Sequence, residues 1–174
     1  MRRLRYHVAM SLDGFIAGPK GEYDWIVMDP TIDFTAFYSQ FDTALMGRRT
    51  FELALTGPGA IMPGIQTIVC SRTLRGSDHQ GVTIVSEATD AVSTLKSKPG
   101  KDIWLFGGVT LFRGLLDAGL VDTIEVAVTP IMLSQGLSLL PAGRRSPPLE
   151  LIDCESKPNG IITLSYQVGS VRSS

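Results

Sequence analysis

Three short segments of this chain combine glycine, hydroxyl and guanidinium groups in orders that suit an anion. Met46-Gly47-Arg48-Arg49-Thr50 offers a glycine for close approach, two guanidinium groups and a hydroxyl at the start of an expected helix. A helix start presents free N–H groups and the positive end of a dipole. Cys70-Ser71-Arg72 offers a second hydroxyl and guanidinium. Phe106-Gly107-Gly108-Val109-Thr110 puts paired glycines where a strand turns into a helix, so backbone amides can face a phosphate with no Cβ in the way. Each segment alone also has a plain reading, as a tight turn, a helix cap or a solvated cation. Together, on successive strand ends, they favour a polyphosphate ligand.

The elements that must position these segments follow from periodicity and turn residues. Strands are expected at Leu4–Met10, Thr43–Met46, Gln66–Cys70, Val82–Val85, Asp102–Phe106 and, as a long apolar run, Val121–Leu133. Helices are expected at Asp33–Phe41, with Thr31 or Ile32 near its start, at Arg49–Leu55 stopped by Gly57-Pro58-Gly59, at Ala88–Lys98 and at Val109–Ala118. Ser11–Pro30 reads as a long loop, and Leu149–Glu155 and Ile161–Val168 as a closing hairpin around Pro158-Asn159-Gly160. Alternating strands and helices imply one α/β domain over residues 1–174, with a mainly parallel sheet, helices on both faces and an antiparallel edge. In such a sheet ligands bind outside the carboxyl ends of the strands. The GxGxxG fingerprint and the P-loop are both missing; Met10-Ser11-Leu12-Asp13-Gly14 follows the first strand instead.

Composition narrows the classes. With 44% hydrophobic and 19% charged residues the chain is globular rather than disordered. A net charge of −1 gives no general pull toward nucleic acid. No apolar run approaches the roughly 18 residues of a membrane span, and no signal-like segment opens the sequence, so a cytoplasmic protein is expected. Cys70 and Cys154 lie in apolar strands without metal-ligand spacing and read as buried free thiols. His7 and His79 read as structural or surface residues, and no metal site is expected. The run Val121–Leu133 also reads as a dimer edge.

The residues carry a family resemblance. Met10-Ser11-Leu12-Asp13-Gly14-Phe15-Ile16-Ala17, Leu45-Met46-Gly47-Arg48-Arg49-Thr50-Phe51-Glu52, Leu105-Phe106-Gly107-Gly108 and Leu120-Val121-Asp122 leading to Thr129-Pro130 resemble the dihydrofolate reductase superfamily. The likeness is strongest to the family built on the C-terminal reductase domain of the riboflavin-pathway bifunctional deaminase-reductase. It implies a dihydrofolate-reductase-like three-layer fold, a homodimer and NADPH as cofactor. Ala9, Ile16 and Ala17 would line the nicotinamide pocket. Gly47, Arg48, Arg49 and Thr50 would hold the pyrophosphate and the adenosine phosphate, with Gly107, Gly108, Val109 and Thr110 completing that site. Ser71 and Arg72 would grip the 2′-phosphate. Trp25 would cap the loop beside the substrate.

For the substrate, Asp33 and Phe37 share a helix face. That spacing resembles the acid and ring that hold a pteridine, and it reads equally as a helix N-terminal acid beside a core aromatic. Thr129 is a further candidate at the mouth of its strand. The resemblance implies hydride transfer to a small pteridine- or pyrimidine-like heterocycle, with Asp33 or an ordered water delivering the proton. The riboflavin-pathway variant would reduce 5-amino-6-(5-phosphoribosylamino)uracil. Two departures weigh on that variant: Phe15 stands where the pyrimidine reductases usually carry a lysine, and the first helix has no cation. The rival readings are a non-catalytic NADP-binding or regulatory module of the same fold, and a plain dimeric structural protein.

Overall fold

A computed structural model describes residues 1–27, 32–56 and 62–169. Ten strands and four helices run in the order β1 (Leu4–Ser11), β2 (Phe15–Ala17), α1 (Phe34–Ser39), β3 (Phe41–Gly47), α2 (Arg48–Ala54), β4 (Gln66–Cys70), β5 (Val82–Val85), α3 (Ala88–Ser97), β6 (Asp102–Gly107), α4 (Val109–Asp117), β7 (Thr123–Thr129), β8 (Leu137–Ser138), β9 (Leu149–Ser156) and β10 (Ile162–Val168) among these residues. Eight strands form one sheet in the order β5-β4-β3-β6-β1-β7-β10-β9. β5 through β7 are mutually parallel, while β10 runs antiparallel to both β7 and β9.

Alternation along the strands sends side chains to two separate cores. On one face Leu4, Tyr6, Leu105 and Val126 pack with Val92 of α3 and Phe112, Leu115 and Leu116 of α4. On the other, Ala44, Met46, Val69 and Trp104 pack with Phe51 of α2, and Phe37 of α1 leans on that cluster. The three-layer α/β expectation therefore holds, with helices on both faces and a C-terminal hairpin.

Several expected elements differ. Phe41 opens β3 instead of closing α1; its ring lies 5.2 Å from Phe37, so the helical spacing reflected a shared aromatic cluster rather than one helix. β7 stops at Thr129, since Pro130 lacks the N–H that pairing needs. β7 also lies between β1 and β10, so it is an interior strand and cannot be a dimer edge; the edge strands are β5 and β9. The expected loop after β1 contains β2, which pairs with β8, a strand that the sequence pattern did not indicate. Cys154 is exposed on β9 rather than buried, and Cys70 is half-buried. The expected breaker Gly57-Pro58-Gly59, Thr31 and the end of the expected loop at 28–30 fall outside the described residues. Among the described residues no helix is long and apolar enough to cross a membrane, and no cluster of acids, histidines and cysteines could hold a metal.

Candidate functional site: a cleft across the strand ends

The chain runs from β3 outward through β4 to β5, then returns to β6 on the other side of β3. α2 leaves β3 toward one sheet face and α4 leaves β6 toward the other. The connections therefore diverge at the carboxyl ends of β3 and β6, where an open α/β sheet forms its ligand crevice. A cleft of about 720 Å³ lies along these ends, within the usual range for small-molecule sites.

The cleft brings together most of the residues expected to bind phosphate. Gly47, Arg48, Arg49, Thr50, Ser71, Arg72, Gly108, Val109 and Thr110 all line it, and Gly107 is joined to Gly108 by a cis peptide bond. Gly107 has φ 141°, a conformation that side chains resist. Gly47 and Gly108 face one another: a Cβ on Gly47 would lie 3.8 Å from the Gly108 nitrogen. This glycine notch lets a ligand approach the backbone. Gly108 and Glu87 begin α4 and α3 without side-chain caps, so the first amides of two helices open toward the cleft free of internal partners.

The charges in the cleft are mainly positive. Arg48 reaches Glu52 at 3.1 Å on its own helix and remains half-exposed. Arg72 is 81% exposed, with Nε 3.9 Å from a Glu87 carboxylate oxygen. The Ser71 hydroxyl accepts N–H bonds from Thr73 (3.1 Å) and Leu74 (3.0 Å), fixing the turn after β4, and lies 3.3 Å from the Thr73 hydroxyl. Burial pushes the Cys70 thiol up to about 11, so it stays protonated and is no nucleophile near neutral pH.

The other expected site residues lie outside this cleft. Ala9 pairs with Ala127 across β1 and β7. Ile16 and Ala17 lie in β2, where Ala17 pairs with Leu137 of β8; Leu137 itself lines the cleft. Trp25 donates its indole N–H to the Glu22 carbonyl at 3.2 Å. Thr129 is buried and donates to the Met10 carbonyl at 3.0 Å. Asp33 is the N-cap of α1, accepting the Ala36 N–H at 2.9 Å. Phe37 contacts His7 at 4.8 Å and Trp104 at 5.1 Å between ring centroids.

Beneath α1 lies an ionic floor that the sequence did not reveal. Arg5 makes two bonds to Glu125, of 2.7 and 2.8 Å, with both side chains largely buried. Burial would raise the Glu125 carboxyl, but the Arg5 bonds and charge outweigh it and hold the carboxyl below its usual range. His7, opposite Glu125 in the β1–β7 register, has its pKa lowered by burial and by Arg5, against the pull of Glu125. Sequence reasoning also missed Ser86, Glu87, Ala88 and Thr89 in the cleft. The rule applied to three strand ends would have found them at the end of β5. Leu137 had no comparable signal.

Comparison with known proteins gives the same architecture. Residues 2–163 match the model of the RibD C-terminal domain. Protein YyaP of Bacillus subtilis is 33% identical over 181 residues, covering 95% of this chain and 94% of YyaP. A crystal structure from Shewanella sp. PV-4, assigned by name to riboflavin biosynthesis, superposes with a TM-score of 0.82 at 23% identity, covering 98% of this chain and 100% of that one. Acinetobacter baumannii RibD superposes with a TM-score of 0.75 at 18% identity, covering 98% of this chain and 59% of the RibD chain. At these identities the two structures establish the fold.

Proposed function

Because the chain belongs to the RibD C-terminal domain family, we propose that it is an NADPH-dependent reductase acting on a small, flat pyrimidine- or pteridine-like heterocycle. The observation that carries this reading is the convergence of three glycine, hydroxyl and guanidinium segments on one cleft. The cleft has the traits a dinucleotide phosphate needs: a notch without Cβ atoms, uncapped helix amides and three arginines.

In this reading Gly47, Gly107 and Gly108 admit the pyrophosphate to the backbone, and Arg48, Arg49, Thr50, Val109 and Thr110 bind its oxygens. Arg72 takes the 2′-phosphate on its fork of donors, and Ser71 donates its hydroxyl proton. Ala9, Ile16 and Ala17 border the nicotinamide. When bound, NADPH supplies the hydride; the protein supplies orientation and exclusion of water. The heterocycle lies between α1 and the mouth of β1, where Phe37 and Trp25 offer flat surfaces and Thr129 borders the strand end. Asp33 delivers the proton, directly or through an ordered water. 5-Amino-6-(5-phosphoribosylamino)uracil is the substrate that the riboflavin-pathway relatives imply.

Turnover tests this reading. Loss of NADPH absorbance is followed with a panel of aminopyrimidines and pterins, the phosphoribosyl compound included. Consumption should depend on one of these compounds and fall about a hundredfold or more in Asp33→Asn. Saturable NADPH binding without consumption by any of them would contradict the enzyme and favour a binding module.

A further inference from the structure

Among the described residues that line the cleft there is one carboxylate, Glu87, set against Arg48, Arg49 and Arg72. It follows β5, the last strand of the sheet on that side. Strands lie about 4.8 Å apart, so a ligand with its pyrophosphate at Gly47 and Gly108 reaches Arg72 and then Glu87 with its adenosine end. The carboxylate faces the same guanidinium that would take the 2′-phosphate, Nε to Oε1 3.9 Å. Two facts separate Glu87 from a purely structural role. It is the N-cap of α3 yet makes no side-chain cap bond. Its contact with Arg72 is long and exposed, 81% and 59% for the two side chains, a class of pair that adds little to stability.

We infer that Glu87 is a specificity-determining residue that narrows the choice between NADPH and NADH, an inference resting on the cofactor reading above. Near adenosine, an acid accepts the 2′-hydroxyl of NADH, whereas an arginine attracts the 2′-phosphate of NADPH. This chain carries both at one point. Glu87 repels the 2′-phosphate and stands 3.9 Å from the Arg72 guanidinium that would bind it. The wild-type protein therefore uses both dinucleotides with modest preference for NADPH.

The test is a titration of NADPH and of NADH into the wild type, Glu87→Gln, Glu87→Ala and Arg72→Ala, with a melting temperature for each. Both Glu87 variants should tighten NADPH about fivefold at low salt while NADH holds or weakens, and Arg72→Ala should shift the ratio the opposite way. Parallel movement of both dinucleotides, or an unchanged ratio in Glu87→Gln and Glu87→Ala, would overturn the inference and leave the cofactor reading standing. A wild type that bound neither dinucleotide would overturn that reading and this inference with it.

Discussion

Asp13 Oδ2 accepts the backbone N–H of Ser134 at 2.7 Å, across 121 positions of sequence. Its other oxygen accepts the N–H of Leu133 at 3.0 Å and the Ser11 hydroxyl at 2.6 Å. One side chain after β1 thus secures the segment that follows β7. Leu12 and Leu139 add backbone bonds to the same seam, and a Cβ at Gly136 would collide with the Ala17 carbonyl. The seam also holds Leu137 at the wall of the cleft.

Replacing Asp13 should loosen this seam without dissolving the sheet. In Asp13→Asn, hydrogen exchange should quicken at Leu133, Ser134 and Leu139 while the amides of β1 stay protected. The effect carries a pH signature. The Ser11 hydroxyl, and then the Leu133 and Ser134 amides, outweigh burial and hold the Asp13 carboxyl below its ordinary value. A lowered carboxyl stabilises the fold above the unfolded value, about 4, and loses that effect as pH falls through its folded value. The melting-temperature gap between wild type and Asp13→Asn should therefore be present at neutral pH and close in acid below about pH 4.

The Arg5–Glu125 pair should behave as a buried ion pair. Its side chains are 11% and 14% exposed, and without Glu125 the Arg5 guanidinium keeps only Gln40 and an Asp102 oxygen 3.5 Å away. Glu125→Ala should cost about 1.5–3 kcal/mol in chemical denaturation, because Arg5 loses two charged hydrogen bonds but keeps Asp102. The double variant Arg5→Met with Glu125→Leu should recover much of that loss, because no unpaired charge remains. Equal destabilisation by both would show that packing, not charge, governs this floor.

Gly47→Ala should separate binding from folding. Gly47 has φ −80° and ψ 162°, open to any residue, and an added Cβ makes only ordinary contact at 3.8 Å. The melting temperature should hold or rise slightly. The methyl group nevertheless enters the notch opposite Gly108, so NADPH should bind about tenfold more weakly.

The fold was legible where local chemistry and tertiary fate agreed. Gly47 and Gly107 mark the ends of β3 and β6, and Pro158-Asn159-Gly160 separates the hairpin strands. It was illegible where apolar residues served another purpose. Val121 is buried without being in a strand, because it packs into the core from the turn before β7, while Ile131 and Met132 beyond Pro130 are exposed. β2 and β8 are too short for any periodicity, and tertiary bonds from Asp13 and Gly14 set their register. In the site, the phosphate-suited segments were readable because glycine, hydroxyl and cation sit side by side in sequence. The Arg5–Glu125 pair spans 120 positions, and no short-range pattern encodes it. Asp33 was readable in two ways, and the cap it forms on α1 matches one of them.

We propose that the cleft across β3, β4, β5 and β6 binds NADPH through its phosphates. Isothermal titration of NADPH into the wild type and into Arg72→Ala decides it. Saturable one-site binding in the micromolar range is expected, weakened about tenfold or more in Arg72→Ala. Absence of saturable binding to the wild type, or an affinity that Arg72→Ala leaves unchanged, would show that the cleft does not hold NADPH in this way.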